Sequence, residues 1–547
     1  MRRYAAILAA FMGLLAPLLL VGKKRQSSAV DEQKRALHAL SRLTFGPRPG
    51  DVQRVTELGV DKWIEQQLYP EKINDDALAA RLEPLRTLRM ATREIVQNFP
   101  PPPLIRAIAN GRQPLPSDPQ ERAIYEAQLQ RYARKQEQQQ AALQPASSDA
   151  PAAGDQADIR RPERMSARSA AEPLLSLPPA ARMAAILRLP PDEQQFLLPS
   201  LSADERQALL SGLDARQRET VMALQNPAQV VTQELMSGRL LRDIYSQRQL
   251  QEVMTDFWLN HFNVFVGKGA DRYLLTSYER DVIRPRALGK FRDLLLATAQ
   301  SPAMLFYLDN WLSVGPDSDA ARGIAPRRIP RLHPRAGRGP FGPRIGMGVP
   351  FPRPPRNRDK QNRKQSSGLN ENYARELMEL HTLGVNGGYT QQDVIEVAKV
   401  FTGWTIQQPF RGGGFLFNPR THQPGNKLVL GQRIKQGGEE EGRKVLELLA
   451  RSPATAGFIC TQLAQRFVSD NPPPALVARM RSTFLKKDGD IREVLRTMFR
   501  SPEFWAPEVY HAKVKTPLEF VVSAVRATNA DVSDPRALLQ FLNRMGE

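Results

Sequence analysis

Residues 370–394 read NENYARELMELHTLGVNGGYTQQDV, an amphipathic run that breaks at glycines and restarts. With Asn372 at zero and about 100° per residue, Glu376 falls near ~40°, Glu379 near ~340° and Arg375 near ~300°. Tyr373, Leu377 and Leu380 gather near ~100°, so one side of this helix is polar and the other is made for a core. His381 points near ~180°, away from the carboxylates. Gly384, Gly387 and Gly388 end the helix, and Thr390 with Asp393 forms a capping pair for the next, which buries Val394, Val397, Ala398 and Phe401.

The same periodicity recurs along the chain. Residues 31–68, DEQKRALHALSRLTFGPRPGDVQRVTELGVDKWIEQQL, read as two helices around a Gly-Pro-Arg-Pro-Gly turn, with Leu37, Leu40, Val52, Val55, Trp63 and Ile64 as core positions. LQEVMTDFWLNHFNVF, residues 250–265, puts Leu250, Val253, Met254, Phe257, Trp258 and His261 on one apolar face. Ser301-Pro302, Ser452-Pro453 and Ser501-Pro502 are helix starts, serine capping and proline in the first turn. Alternation is confined to FLFNPRTHQPGNKLVLGQRI, residues 415–434, read as one β-hairpin turning at Pro-Gly-Asn. The fold class is therefore all-α: a large irregular helical domain with one small β-hairpin and disordered insertions.

An internal repeat lies between them. LPPAAR starts at Leu177, LPPDEQ at Leu189, LSADER at Leu201 and LDARQR at Leu213, a period of 12. Each unit has a start signal and one short helix, which must bury its leucines on neighbours. Residues 117–143 are polar and Gln-rich, a solvent helix, and 144–173 read as disordered.

Net charge is +20 over 547 residues, but 322–364 hold 13 Lys and Arg against Asp359 alone, so +12 of it sits in one Pro/Gly/Arg-rich segment. That segment, read as a solvated loop able to touch anionic polymer or a membrane surface, has no interleaved aromatics, and nucleic-acid binding is set aside. The single cysteine, Cys460, excludes intramolecular disulfides and cysteine zinc clusters, and its helical apolar context marks a buried inert thiol. Arg2 and Arg3 precede an apolar run from Tyr4 to Gly22, an export segment that is either a cleaved signal peptide or a retained membrane anchor. The expected organisation is 1–30 export segment, 31–112 first helical part, 113–173 insertion, 174–224 repeat array, 225–313 with 369–547 main helical domain, and 314–368 basic loop. Periplasm, cell envelope or secretion follows as the location.

Glu376 and Glu379 form a carboxylate pair, read as a general acid/base pair or as ligands for a divalent metal, with Asn372 and Arg375 beside them. His261, from a distant helix end, is expected to join them as a third catalytic group. Asn260, His381, His422 and Lys427 complete the set as substrate contacts, His422 being read alone as a surface turn histidine. No Gly-x-Ser-x-Gly elbow, phosphate loop or dinucleotide fingerprint is present.

HALSRLTFGPRPGD, DFWLNHFNVF, SPAMLFYLDNW, the 370–394 run, FTGW, HQPGNKLVLG, and FVSDNPPP to SPEF resemble, in order and wording, the domain-of-unknown-function 1800 family. The resemblance spans residues 33–112 and 225–525 and implies an exported, mostly helical protein, whose family is often paired with a second exported family similar to sulfatases and alkaline phosphatases. It carries no activity. The family's Trp-His-Asn-His-Phe is here Trp258-Leu259-Asn260-His261-Phe262, its Asp is Asn386, and the acid after its hairpin His is Gln423; losing those donors weighs against metal chemistry. Two functions follow: binding or acting on an anionic or hydroxyl-rich envelope polymer, or a non-catalytic scaffold for a sulfatase- or phosphatase-like partner.

Overall fold

The computed structural model describes residues 31–143, 161–324 and 368–547; residues 1–30, expected to be an export segment, residues 144–160, and residues 325–367 of the basic segment lie outside these. Among the described residues, regular structure is helical apart from two two-stranded antiparallel ribbons, and no helix is long and apolar enough to cross a membrane. The amphipathic runs form the expected helices because each has a face that water disfavours. Gln249–His261, Glu371–Met378, Gln391–Phe401 and Pro453–Phe467 turn Trp258, Tyr373, Phe401 and Phe467 into one main core. Trp258 Nε1 donates to the Ala287 carbonyl at 2.9 Å and the Tyr373 hydroxyl to that of Ala299 at 3.0 Å. All three Ser-Pro starts are capped, Ser301 accepting from the Ala303 amide, Ser452 from Ala454 and Ser501 from Phe504.

Leu40, Val55, Trp63 and Ile64 are buried as the periodicity requires, but Leu37 is 37% exposed. The strand region also differs from a single hairpin. Phe415–Phe417 pairs with Trp404–Ile406, and Lys427–Val429 pairs with Gln432–Ile434. The turn of the second ribbon is Leu430-Gly431, both at positive φ (48° and 74°), instead of Pro-Gly-Asn. Two consecutive left-handed residues match the strand twist, and a glycine supplies one of them without strain.

A second core is built by the repeat. Its four units are the helices Pro179–Arg188, Pro191–Ser200, Ala203–Leu210 and Ala215–Gln225, with capping boxes at Ser202/Glu205 and Asp214/Gln217. Met183, Ile186, Leu197, Leu209 and Val221 pack together, and the Gln-rich helix Pro119–Leu143 lays Ala123, Ile124 and Ala127 onto them. It is therefore half a core element, not a solvent helix. Residues 161–173, expected to be disordered, belong to the helix Arg161–Ser176, because Ala167, Ala171 and Leu174 sit four and three apart and are buried. Arg182 is buried in the middle of the array and donates to the carbonyls of Leu174, Leu177, Ala208, Leu209 and Ser211 at 2.8–3.1 Å. All five lie at helix ends, where carbonyls run short of amide partners; those of Leu174 and Ala208 also accept from the Leu177 and Ser211 amides.

The array meets the rest of the chain at two buried carboxyls. Glu219 takes Arg86 at 2.8 Å, and Glu234 accepts from the amide and hydroxyl of Thr87 at 2.9 and 2.8 Å. Burial first, and then repulsion from Glu234, raises Glu219 above the usual carboxyl range; burial raises Glu234 as well. A carboxyl whose folded pKa is raised holds its proton in the native state after the unfolded chain has lost it, so stability falls as pH climbs from the ordinary carboxyl range towards neutrality. Denaturation followed from pH 5 to pH 8 is expected to reveal this loss, and Glu219→Gln to flatten it; an equal slope in wild type and variant would contradict a raised Glu219 carboxyl.

Candidate functional site

The helix Glu371–Met378 is fixed at its start by Asn370, whose Oδ1 accepts from the Tyr373 amide at 3.2 Å while its Nδ2 donates to the Leu308 carbonyl at 2.6 Å. Tyr373, Ala374, Leu377 and Met378 go into the core, leaving Asn372, Arg375 and Glu376 outward. The chain then widens into a π-turn, Glu379–Leu383, where the Thr382 hydroxyl bonds the Leu377 carbonyl five residues back at 2.7 Å. The wheel's separation of His381 from the carboxylates holds, and His381 is buried.

On the outer face the polar groups order one another. Gln391 donates to Glu371 at 2.8 Å, Arg375 to Gln391 at 2.7 Å, and the Tyr389 hydroxyl to Glu379 at 3.0 Å. Partial burial first, and then Glu379, raises the Glu376 carboxyl, with Arg375 opposing. Thr390 and Asp393 make the expected reciprocal cap, and Asp393 also accepts from the Leu430 amide at 2.7 Å, tying the second ribbon to this helix end.

His261 does not join that face as a free base. Its Nε2 lies 3.1 Å from the His381 carbonyl, so the nitrogen carries the proton and donates. Its ring packs among Phe257, Trp258, Phe262, Phe458 and the His381 ring, 6.2 Å away. Burial pushes His261 down to about 4 and His381, with help from His261, to about 3, so both are neutral at physiological pH. His261, expected as a third catalytic group, has this ring nitrogen committed to the His381 carbonyl. Asn260 is exposed and bonds the Asp256 carbonyl at 3.0 Å, one turn back on its own helix.

His422 is not a surface histidine: it is 8% exposed and lies in a buried polar cluster with Lys427 and Glu441. Nδ1 donates to the Thr402 carbonyl at 2.8 Å, and Nε2 lies 3.1 Å from Glu441 Oε1. Lys427 Nζ bonds Glu441 Oε2 and the Gln423 carbonyl, both at 2.6 Å, and Glu441 Oε1 accepts from the Gly437 and Gly438 amides at 2.8 and 3.0 Å. None of these bonds reaches the Glu376/Glu379 face, so the nine residues expected at one centre are divided: Asn372, Arg375, Glu376 and Glu379 share the polar face, Asn260 is exposed on another helix, His261 is half-buried, and His381, His422 and Lys427 are buried. Gln423 Nε2 donates to Asp317 at 3.0 Å. Sequence reasoning missed Glu441, which sits in an acidic run that reads as a solvated helix start; the preceding Gly437-Gly438 was the one signal that its amides needed an acceptor. Among the described residues no group of three His, Cys, Asp or Glu is placed to hold a metal ion. Cys460 is buried, and burial pushes its thiol up to about 12.

An irregular helical body with two small ribbons, a polar face on a π-turned helix end and a buried His-Lys-Glu lock defines a mostly helical class of protein. The chain belongs to the family described as protein of unknown function (DUF1800), whose profile matches residues 38–547. No curated protein and no solved structure matches it.

Burial raises the Glu441 carboxyl, but its bonds to His422, Lys427 and the glycine amides outweigh that and hold it at about 2. A depressed folded pKa contributes stability above the unfolded carboxyl value and loses it as pH falls towards about 2. Glu441→Gln leaves Lys427 buried without its counter-charge, and a loss of about 3–5 kcal/mol is expected at pH 7. In urea denaturation the gap between wild type and variant is expected to narrow at pH 3; equal stability at pH 7 would contradict the lock.

Proposed function

We propose that this chain is an exported, non-catalytic binding protein of the cell envelope whose polar helix end holds a hydroxyl-rich polymer. The observation that carries the reading is the ordered ladder Glu371–Gln391–Arg375 with Glu379–Tyr389, beside a histidine pair already engaged in the interior. Acid/base catalysis works best with groups that titrate near the operating pH, and His261 and His381 titrate far below it. What remains is a row of carboxylate acceptors and amide, guanidinium and phenol donors whose side chains are pre-set, which reduces the ordering cost of binding. Three carboxylates against one guanidinium repel polyanions, so of the two polymer classes the hydroxyl-rich one is favoured. Tyr389 adds a half-buried ring for stacking on a sugar. Export rests on the basic and apolar amino-terminal segment.

A second reading, a scaffold for an exported sulfatase- or phosphatase-like protein, draws support from the repeat array, whose helices have a core of their own. Affinity electrophoresis in gels containing a neutral β-glucan, polygalacturonate or no polymer separates the two. Retardation by the glucan alone is expected, weakened at least ~10-fold by Tyr389→Ala or Glu379→Ala. Unchanged mobility with both polymers would leave the scaffold, and release of reducing ends would replace binding with catalysis.

A further inference from the structure

The helix over 31–43 and the segment 510–515 enclose a cavity of about 400 Å³. Lys34, Arg42, Arg466, Lys513 and Lys515 line it, and the acid in its wall is Glu519. That carboxylate is already engaged, bonding Arg466 at 2.6 Å and the Thr516 amide at 3.0 Å. Arg42, Lys513 and Lys515 donate to neutral acceptors and are not neutralised by them. Arg42 donates to the Val509 carbonyl, Lys513 to the carbonyls of Gln465 and Arg466 at 3.1 and 2.8 Å, and Lys515 to the Ser523 hydroxyl at 2.7 Å. A carbonyl gives a cation an acceptor but no opposite charge, so the wall keeps a positive excess that concentrates anions.

The mutual repulsion registers on the groups themselves. Burial, followed by the Arg466 guanidinium, pushes the Lys513 ammonium down to about 8, and the same two causes lower Arg42, with Glu519 and Asp470 opposing only in part. A concave site that gathers several cations around one committed carboxylate is complementary to a multiply charged oxyanion, and its volume lies within the range of small-ligand sites.

We infer that this cavity is a binding site for a phosphate group. A soluble phosphate ester and a phospholipid headgroup share that chemistry, and the rim favours the headgroup. Val514, 91% exposed, and Leu37 stand at the mouth, and Phe520, 54% exposed, is on the adjoining helix Pro517–Thr528. Apolar side chains around a basic hollow place acyl chains beside them while the phosphate enters. Leu37 thus has a use at the position where the periodicity expected it in the core. The site shares no residue with the Glu376/Glu379 face, so its failure and that of the polymer reading are separable.

The full chain is titrated calorimetrically with inorganic pyrophosphate, and floated with vesicles of phosphatidylglycerol in phosphatidylcholine against phosphatidylcholine alone. Expected are pyrophosphate binding and a preference for the phosphatidylglycerol vesicles, both reduced at least ~10-fold by Lys513→Gln. The double variant Lys34→Gln with Lys515→Gln, which touches exposed side chains, is expected to do the same with an unchanged melting curve. Val514→Asp is expected to abolish the vesicle preference and spare pyrophosphate binding, and Glu379→Ala to change neither. Charge-dependent pyrophosphate binding without any vesicle preference would keep the phosphate site and overturn the headgroup as its source. No binding in either arm, or binding that both lysine variants leave intact, as binding to the basic segment 322–364 would be, would overturn the site.

Discussion

Backbone carbonyls left over at helix ends set the main constraint on this fold. An irregular body made of many short helices has many more such ends than a bundle of long ones, and each buried acceptor without a partner is costly. Arginine side chains meet much of that demand. Arg526 donates to the carbonyls of Gly46 and Ile244 at 2.6 and 2.7 Å, Arg280 to Leu88 and Met90 at 3.0 and 2.8 Å, and Arg182 to five carbonyls of the repeat array. Arg42 and Arg48 do the same for Val509 and Ile244. The planar fork suits this work because one side chain can reach several acceptors at once. It also brings charge inside without always bringing a counter-charge.

That leftover charge separates the two regions with a functional reading. Around Glu371, Glu376 and Glu379 the balance is negative and the groups are open to solvent; around Arg42 and Lys513 it is positive and the groups are recessed. The two regions therefore present opposite fields, and the two ligand classes proposed for them differ accordingly.

The imidazoles illustrate how burial changes the use of a residue type. His261 and His381 are held neutral in an aromatic cluster, where one ring nitrogen satisfies a backbone carbonyl. His422 joins Lys427 and Glu441 in a lock that fastens the second ribbon to the start of the helix Glu439–Ala450. Partner groups fully committed to each other stabilise and orient the chain, but they are not free to exchange protons with a substrate.

Helix positions, caps and the 12-residue repeat were legible because they depend on local spacing: Leu177, Leu189, Leu201 and Leu213 recur at a fixed interval, and Thr390 and Asp393 stand three apart. The polar face was legible for the same reason, since Arg375, Glu376 and Glu379 lie within two turns of one helix. What Leu37 faces depends on a segment as far away as residue 514, and His422 meets Glu441 only once the second ribbon and the helix Glu439–Ala450 have packed. By itself the sequence determined an all-helical chain with a polar helix end; the tertiary structure alone decided which charges are neutralised, because pairing and desolvation are properties of neighbours in space.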